Sequence, residues 1–188
     1  MESFLIDTFK ISKHEAELFS SCFERKVLNP GEKFVSFGRV SHKIGFVEEG
    51  LLKCILIKDE KSVIDDFAFP NNFVANYYSF LKNEPSNKDI ICLKKSVLRI
   101  TTREKLAEFD KKNPFTFDLA RKVAEKLFLS THEKWEDLRL LSAEERYLKL
   151  IRTNKKITAE IPQYEIASYL NVSPETVSRI RRKIVKRS

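Results

Sequence analysis

Between Ile161 and Lys183 the chain reads IPQYEIASYLNVSPETVSRIRRK, and side chains able to make directional polar contacts fall there at helical spacing. Glu175, Arg179 and Arg182 are separated by four and then three residues, so they project from one side of a helix, while Val177, Ile180 and Ile184 recur on the other. An Arg guanidinium offers two parallel donors that match O6 and N7 of guanine. Glu can accept from N4 of cytosine, and Ser173, Thr176 and Ser178 can reach phosphate oxygens or base edges. The chemistry defined by these residue types is the reading of base edges in a DNA major groove. The rival reading is an ordinary helical hairpin with a solvated basic face. From Asn171 to Ser188 the charges are Arg179, Arg181, Arg182, Lys183, Lys186 and Arg187 against Glu175 alone, a balance that favours the groove.

Such a face has to be held by a second helix. Gln163 to Leu170 supplies it, with Ile166 and Leu170 four apart and the small Ala167 beside them, where a crossing helix can come close. Asn171 tolerates the left-handed backbone of a sharp turn. Ser173 then caps the next helix, Pro174 suits its first position, and Glu175 lies at the positive end of its dipole.

QYEIASYL followed by SPETVSRI resembles the DNA-binding region of the Crp/Fnr superfamily of bacterial transcription regulators. The resemblance implies base-reading roles for Glu175 and Arg179 and phosphate contacts for Ser173 and Thr176. The full DNA-contacting set is then Gln163, Ser173, Glu175, Thr176, Ser178, Arg179 and Arg182. Pro174 stands where well-known members carry a base-reading Arg, which implies a different half-site sequence or one base pair fewer read directly.

Composition agrees with a nucleic-acid partner. The chain has 188 residues, a net charge of +8, 33% charged and 42% apolar residues and only four Gly, the profile of an ordinary globular protein. That length admits one or two domains with a real core. The positive excess suits a polyanion, and its concentration in the last helix points to nucleic acid rather than a membrane surface. No run approaches the roughly 18 to 20 apolar residues of a membrane span, and Met1 to Lys10 lacks the features of a secretion signal, so a cytoplasmic location is expected. Cys22, Cys54 and Cys92 are far apart without a C-x-x-C pair, and His14, His42 and His132 are equally scattered. Neither metal nor cofactor is expected, and the cysteines read as small buried hydrophobes. An enzyme is not expected either. There is no Gly-rich phosphate loop and no G-x-S-x-G elbow, and the adjacent Asp65 and Asp66 point to opposite faces of a strand.

Taken in order, Ser12-Lys-His-Glu15 matches a capping box and starts a helix running to about Cys22. Short runs broken by turn residues follow at Arg25–Leu28, Lys33–Phe37, Ile44–Val47, Leu51–Ile57, Val63–Phe69, Asp89–Leu93 and Ser96–Ile100, with Asn29-Pro30-Gly31, Glu49-Gly50, Lys58–Lys61 and Pro70-Asn71-Asn72 between them. Many short strands with no helices between them predict an antiparallel roll and exclude a doubly wound parallel sheet. NPGEKF and IGFVEEGLLKC are similar to recurrent hairpins of the Crp/Fnr sensor domain, so the resemblance spans nearly the whole chain.

The same resemblance places the family's phosphate-binding cassette in Phe73–Ile90, FVANYYSFLKNEPSNKDI. Cyclic-nucleotide binders there carry a Gly-Glu pair, then an Arg and a Ser or Thr; here the positions hold Ala75-Asn76 and Ser86-Asn87. Without the Gly the backbone cannot approach closely, and without the Arg a buried phosphate lacks its bidentate partner. Cyclic AMP is therefore not the expected effector, and the effector is unknown. Lys82 or Lys88 could supply charge. Asn76, Tyr77, Tyr78, Ser86 and Asn87 are candidates to line a pocket for another small molecule, together with Phe80; the alternative is that the aromatics fill the roll.

Arg103–Lys111 predicts a short helix, with Leu106 and Phe109 inward. Asn113-Pro114 then opens a long one from Phe115 to about Leu140. Phe117, Ala120, Ala124, Leu127, Thr131 and Leu138 alternate by three and four, a coiled-coil-like seam interrupted near Lys134. In the family this helix pairs with its copy in a second subunit; the alternative is a stripe packed on its own roll. Ser142-Ala-Glu-Glu145 is a second capping box, which makes Leu141-Ser142 the expected hinge and starts a helix to about Thr153. Lys155–Glu160 reads as a polar connection or small hairpin.

The expectation is an α+β chain. An N-terminal antiparallel β-roll (1–112; a double-stranded β-helix or jelly-roll of the cyclic nucleotide-binding type) precedes a long dimerisation helix (113–141) and a C-terminal winged helix-turn-helix (142–188). The implied partners are double-stranded DNA and a second copy of the chain, with RNA polymerase a further candidate. A sensor module whose helix-turn-helix no longer reads DNA is the alternative function.

Overall fold

In the computed structural model, residues 1–153 and 157–185 are described. The chain separates into two compact units, Met1–Glu125 and Lys126–Ser188.

The first unit opens with helix α1 (Glu2–Phe9), which the sequence did not announce, and α2 (Lys13–Ser21). No side chain caps α1, so its start carries no signal; what holds it is Leu5 and Phe9, four apart and both buried. α2 begins in the expected capping box, with the Glu15 N–H donating to Ser12 Oγ at 3.2 Å and the Ser12 N–H to Glu15 Oε2 at 2.7 Å. Strands follow at β1 (Glu24–Leu28), β2 (Lys33–Val35), β3 (Lys43–Lys58), β4 (Lys61–Ala68) and β5 (Phe73–Val74). After them come a short helix α3 (Tyr77–Lys82), strand β6 (Lys88–Thr102) and helix α4 (Arg103–Lys112). Helix α5 covers Phe115–Leu140, as its flanking signals predicted.

All pairings in the sheet are antiparallel, in the order β1-β6-β3-β4, with β2 also on β6 and β5 also on β3. Two expected breaks are not breaks. Ile44–Val47 and Leu51–Ile57 belong to one strand of 16 residues, and Asp89–Leu93 and Ser96–Ile100 to one of 15. Glu49-Gly50 is a bulge inside β3 rather than a turn, and the register with β6 shifts on either side of it. Gly50 has φ 98°, and Ser96 faces it so closely that a Cβ there would lie 2.2 Å from Ser96 Oγ and 2.6 Å from its Cα. The Ser96 hydroxyl accepts the Leu51 N–H at 3.0 Å and donates to Lys94 O at 2.6 Å, so both long strands bend at one point.

Beneath the sheet lie Leu28, Phe34, Val47, Leu52, Val74, Ile90, Cys92 and Leu98. A second cluster joins Leu5, Phe9, Ile11 and Ala16 to Leu119 of α5, with Phe73, Phe115 and Val123 around it. Cys54 and Cys92 are buried as expected, while Cys22 is only half-buried.

The second unit contains the rest of α5, then α6 (Ala143–Thr153), α7 (Ile157–Glu160), α8 (Gln163–Leu170) and α9 (Pro174–Val185). The connection expected at Lys155–Glu160 is helical where it is described. Ile157 and Ile161 bury on one side of α7, with the Ile161 N–H donating to Ile157 O at 2.9 Å; 154–156 lie outside the described residues. No strand occurs among the described residues of this unit, so the expected wing has no counterpart in them.

The Gly50–Ser96 contact separates two glycines that share a positive φ. Gly38 has φ 74° and open space where a Cβ would sit, so Gly38→Ala should cost about 1 to 2 kcal/mol from backbone strain. Gly50→Ala adds a clash with backbone and should cost roughly 3 kcal/mol or more. Urea denaturation of the two variants measures the difference.

Candidate nucleic-acid interface

α8 and α9 are joined by a three-residue turn. Asn171 takes the left-handed conformation (φ 55°, ψ 47°), and its N–H and that of Val172 return to Ser168 O and Ala167 O at 3.1 and 3.0 Å. α8 buries Ile166, Ala167 and Leu170 almost completely. α9 starts where Ser173 Oγ accepts the Thr176 N–H at 3.3 Å. Val177 and Ile180 are buried, while Glu175, Arg179 and Arg182 are exposed on the opposite side and Thr176 and Ser178 are half-buried.

The structure brings six of the seven expected contact residues, all but Gln163, onto α9 and its cap. Arg182 Nη2 lies 3.3 Å from Ser178 Oγ, and the Ser173 and Thr176 hydroxyls are 3.3 Å apart. Gln163 starts α8 and donates from Nε2 to Pro174 O at 2.8 Å, fastening the beginning of one helix to the beginning of the other. Glu175 is held below the ordinary carboxylate range by its own backbone N–H and by the Ser173 hydroxyl, so it faces solvent as an acceptor. The exposed side therefore offers two guanidinium forks and one carboxylate at the positive end of a helix.

Not every tail cation is available to a ligand. Arg181 turns inward and donates from Nε to the buried Tyr147 hydroxyl at 2.9 Å, and Lys183 pairs with Glu144. Lys186 and Arg187 lie outside the described residues. Arg146 and the buried Glu165 also went unforeseen. The available signal was weak: Arg181 sits between Ile180 and Ile184 at helical spacing, on the inward side.

The second set of candidates lies in the first unit. Asn76 caps α3, its Oδ1 accepting the Ser79 N–H at 3.2 Å, while Nδ2 donates to Ser86 Oγ at 2.7 Å and to Asn87 Oδ1 at 3.2 Å. Three of the five residues thus form one network, with Asn76 and Ser86 buried and Asn87 exposed. Tyr77 stacks on Phe80, centroids 6.4 Å apart. Tyr78 lies on the surface, 58% exposed, with its hydroxyl donating to Glu84 at 3.0 Å. Lys88 is taken up by Asp65 at 2.8 Å, and Lys82 is exposed. The amide of Asn76 thus occupies the start of α3 and is met by the protein itself. Cys22 does not supply a reactive group, since burial pushes its thiol up to about 11. No group of side chains suited to a metal occurs among the described residues.

On α5 all six seam residues are exposed, Phe117 at 71%, Leu127 at 43% and Leu138 at 58%, while Leu119 and Val123 turn toward the core cluster. Trp135 closes the gap at Lys134, four residues after Thr131 and three before Leu138. Its ring ends a ladder in which Phe128, His132 and Trp135 stack at 6.1 and 6.0 Å and Arg139 covers Trp135 at 4.3 Å.

No family model matches the sequence. No curated protein matches it either. Solved structures do match. The catabolite activator protein of Thermus thermophilus is 19% identical with TM-score 0.60, over 94% of this chain and 85% of that one. CLP of Xanthomonas campestris, described as a c-di-GMP responsive global regulator, is 15% identical with TM-score 0.67, over 93% and 92%. A cyclic nucleotide-binding domain from Methylobacillus flagellatus is 11% identical with TM-score 0.64, over 74% and 82%. The class these likenesses define is one of fold: an antiparallel, cyclic-nucleotide-binding-type sheet domain followed by helices, α+β overall. The fold is similar to that of the catabolite activator protein. No helix among the described residues is long and apolar enough to cross a membrane.

Removing the side chain of Asn76 strips the cap from α3 and removes its two bonds to Ser86 and Asn87. Asn76→Ala should therefore lower stability by about 2 kcal/mol, read as a shift in the urea midpoint at constant slope.

Proposed function

We propose that the protein is a sequence-specific DNA-binding transcription regulator of the Crp/Fnr type. The observation that carries this reading is the two-sided α9. Glu175, Arg179 and Arg182 are exposed on one side while Val177 and Ile180 are buried on the other, at the end of a chain with the fold of the catabolite activator protein. α8 and α9 act as a helix-turn-helix. Arg179 and Glu175 read base edges, and Ser173, Thr176, Ser178 and Arg182 fix the register on phosphates or neighbouring bases. Gln163 serves DNA binding by setting the start of α9, with its remaining amide hydrogen free to meet a phosphate.

The working form is a homodimer joined along Phe117, Ala120, Ala124, Leu127, Thr131 and Leu138, with Phe128 and Trp135 extending the contact. Exposed aromatics and leucines on one helix side, with small alanines between them, favour a second copy of the same helix as occupant. Two α9 helices related by a two-fold axis would enter successive major grooves about 34 Å apart on a near-palindromic operator. The sheet domain with its flanking helices, 1–112, is the sensor, and the Ser142 capping box marks the hinge. Domain limits of 1–112, 113–141 and 142–188 follow from these roles. Asn76 filling the start of α3 supports a sensor that does not depend on cyclic AMP. RNA polymerase is the partner a regulator of this kind would engage.

DNA selected from a random pool and read by fluorescence anisotropy tests the reading. Arg179→Ala should weaken binding by about 1 to 3 kcal/mol and relax preference at one base pair, and cyclic AMP should leave the affinity unchanged. Failure of the wild-type chain to select any sequence would leave a sensor module that no longer reads DNA. For the dimer, Leu127→Glu should shift the sedimentation coefficient to that of a monomer; an unaltered dimer would move the interface off this side of α5.

A further inference from the structure

In the second unit one guanidinium serves two helices. Arg146 of α6 donates from Nη1 to Leu141 O at 2.7 Å and from Nη2 to Leu170 O at 2.9 Å. Leu141 directly follows α5 and its N–H still bonds to Asp137 O at 3.1 Å, while Leu170 closes α8, next to the left-handed Asn171. Both carbonyls stand at helix C-terminal ends, where they lack partners within the helix and carry the negative end of its dipole. The guanidinium is planar and its donors are fixed relative to one another, so it sets the separation of the two carbonyls.

α6 is also tied on either side of Arg146. Lys149 Nζ reaches Asp137 Oδ2 at 2.6 Å toward α5, and Tyr147 and Glu144 receive Arg181 and Lys183 of α9. Arg146 Nε is buried with no hydrogen-bond partner among the described residues. Burying a guanidinium with an unmet donor is unfavourable, and the two carbonyl bonds offset that cost. What the ion supplies is geometry.

We propose that Arg146 is a positioning residue for DNA reading: it holds the α8–α9 turn in fixed relation to the end of α5, and a displacement at Leu141 reaches Leu170 through it. The functional half rests on the DNA-binding reading above; the mechanical half does not.

Two measurements on the full chain separate them. In hydrogen exchange, Arg146→Gln should raise exchange at Leu141–Arg146 and at Asn171–Val172 together, by ten-fold or more. Lys149→Ala, which cuts the Lys149–Asp137 tie between α5 and α6, should leave Asn171–Val172 unchanged. Loss of protection at one end alone overturns the proposal. In anisotropy, Arg146→Gln should lower the ratio of selected-site to non-specific affinity at least ten-fold while non-specific binding and its salt slope stay as in the wild type. Arg146→Lys keeps the charge without the fork and should show the same loss of ratio, and it stands in for both measurements if the Gln variant does not fold. An unchanged ratio, or full rescue by Lys, overturns the proposal. If the wild type selects no sequence, DNA reading fails and exchange alone decides the link.

Discussion

Everything the second unit presents outward depends on Val177 and Ile180 being taken out of water. α9 packs against α8 and α6, and full burial of a Val or Ile side chain is worth about 1.5 to 3 kcal/mol. A helix of this length, alone in water, would hold neither its shape nor its orientation. Once those two residues are anchored, the 3.6-residue repeat leaves Arg179 and Arg182 no direction but outward. Neighbouring positions are tied within the unit: Arg181 to Tyr147, Lys183 to Glu144 and Gln163 to Pro174. The cationic surface is therefore narrower than the charge of the tail alone suggests.

The sheet domain is governed by a comparable local constraint. Its two longest strands bend together where Gly50 meets Ser96, and the hydroxyl that fills the contact also supplies the hydrogen bonds that the irregular register would otherwise leave unmet. Asn76 meets the needs of α3 from within the chain. The start of α3 is thus part of the framework, its polar groups met by Asn76, Ser79 and Ser86 of the chain itself.

The elements legible in the sequence are those specified by neighbours three or four residues away. Ser12 with Glu15, Ser142 with Glu145, Asn113-Pro114 and Asn171 through Pro174 marked four helix starts, those of α2, α6, α5 and α9. What was not legible depends on distant partners. Glu49-Gly50 looks like a turn until Ser96, far along the chain, is placed against it. α1 has an apolar stripe without a cap, and α7 is fixed by Ile157 and Ile161, two β-branched residues that read equally well as strand. The exposed side of α9 follows from periodicity, but the inward guanidiniums of Arg146 and Arg181 do not, because an Arg is expected to face solvent and only the tertiary structure supplies a carbonyl or a hydroxyl inside.

The ladder on α5 has an optical consequence. The chain has a single tryptophan, and it is the half-exposed Trp135, lying under Arg139 and beside His132 on the stripe assigned to subunit pairing. Whatever covers that stripe takes this one indole out of water. The molecule thus carries a fluorophore on the stripe proposed for subunit pairing, and its emission colour would report burial of that stripe without a label.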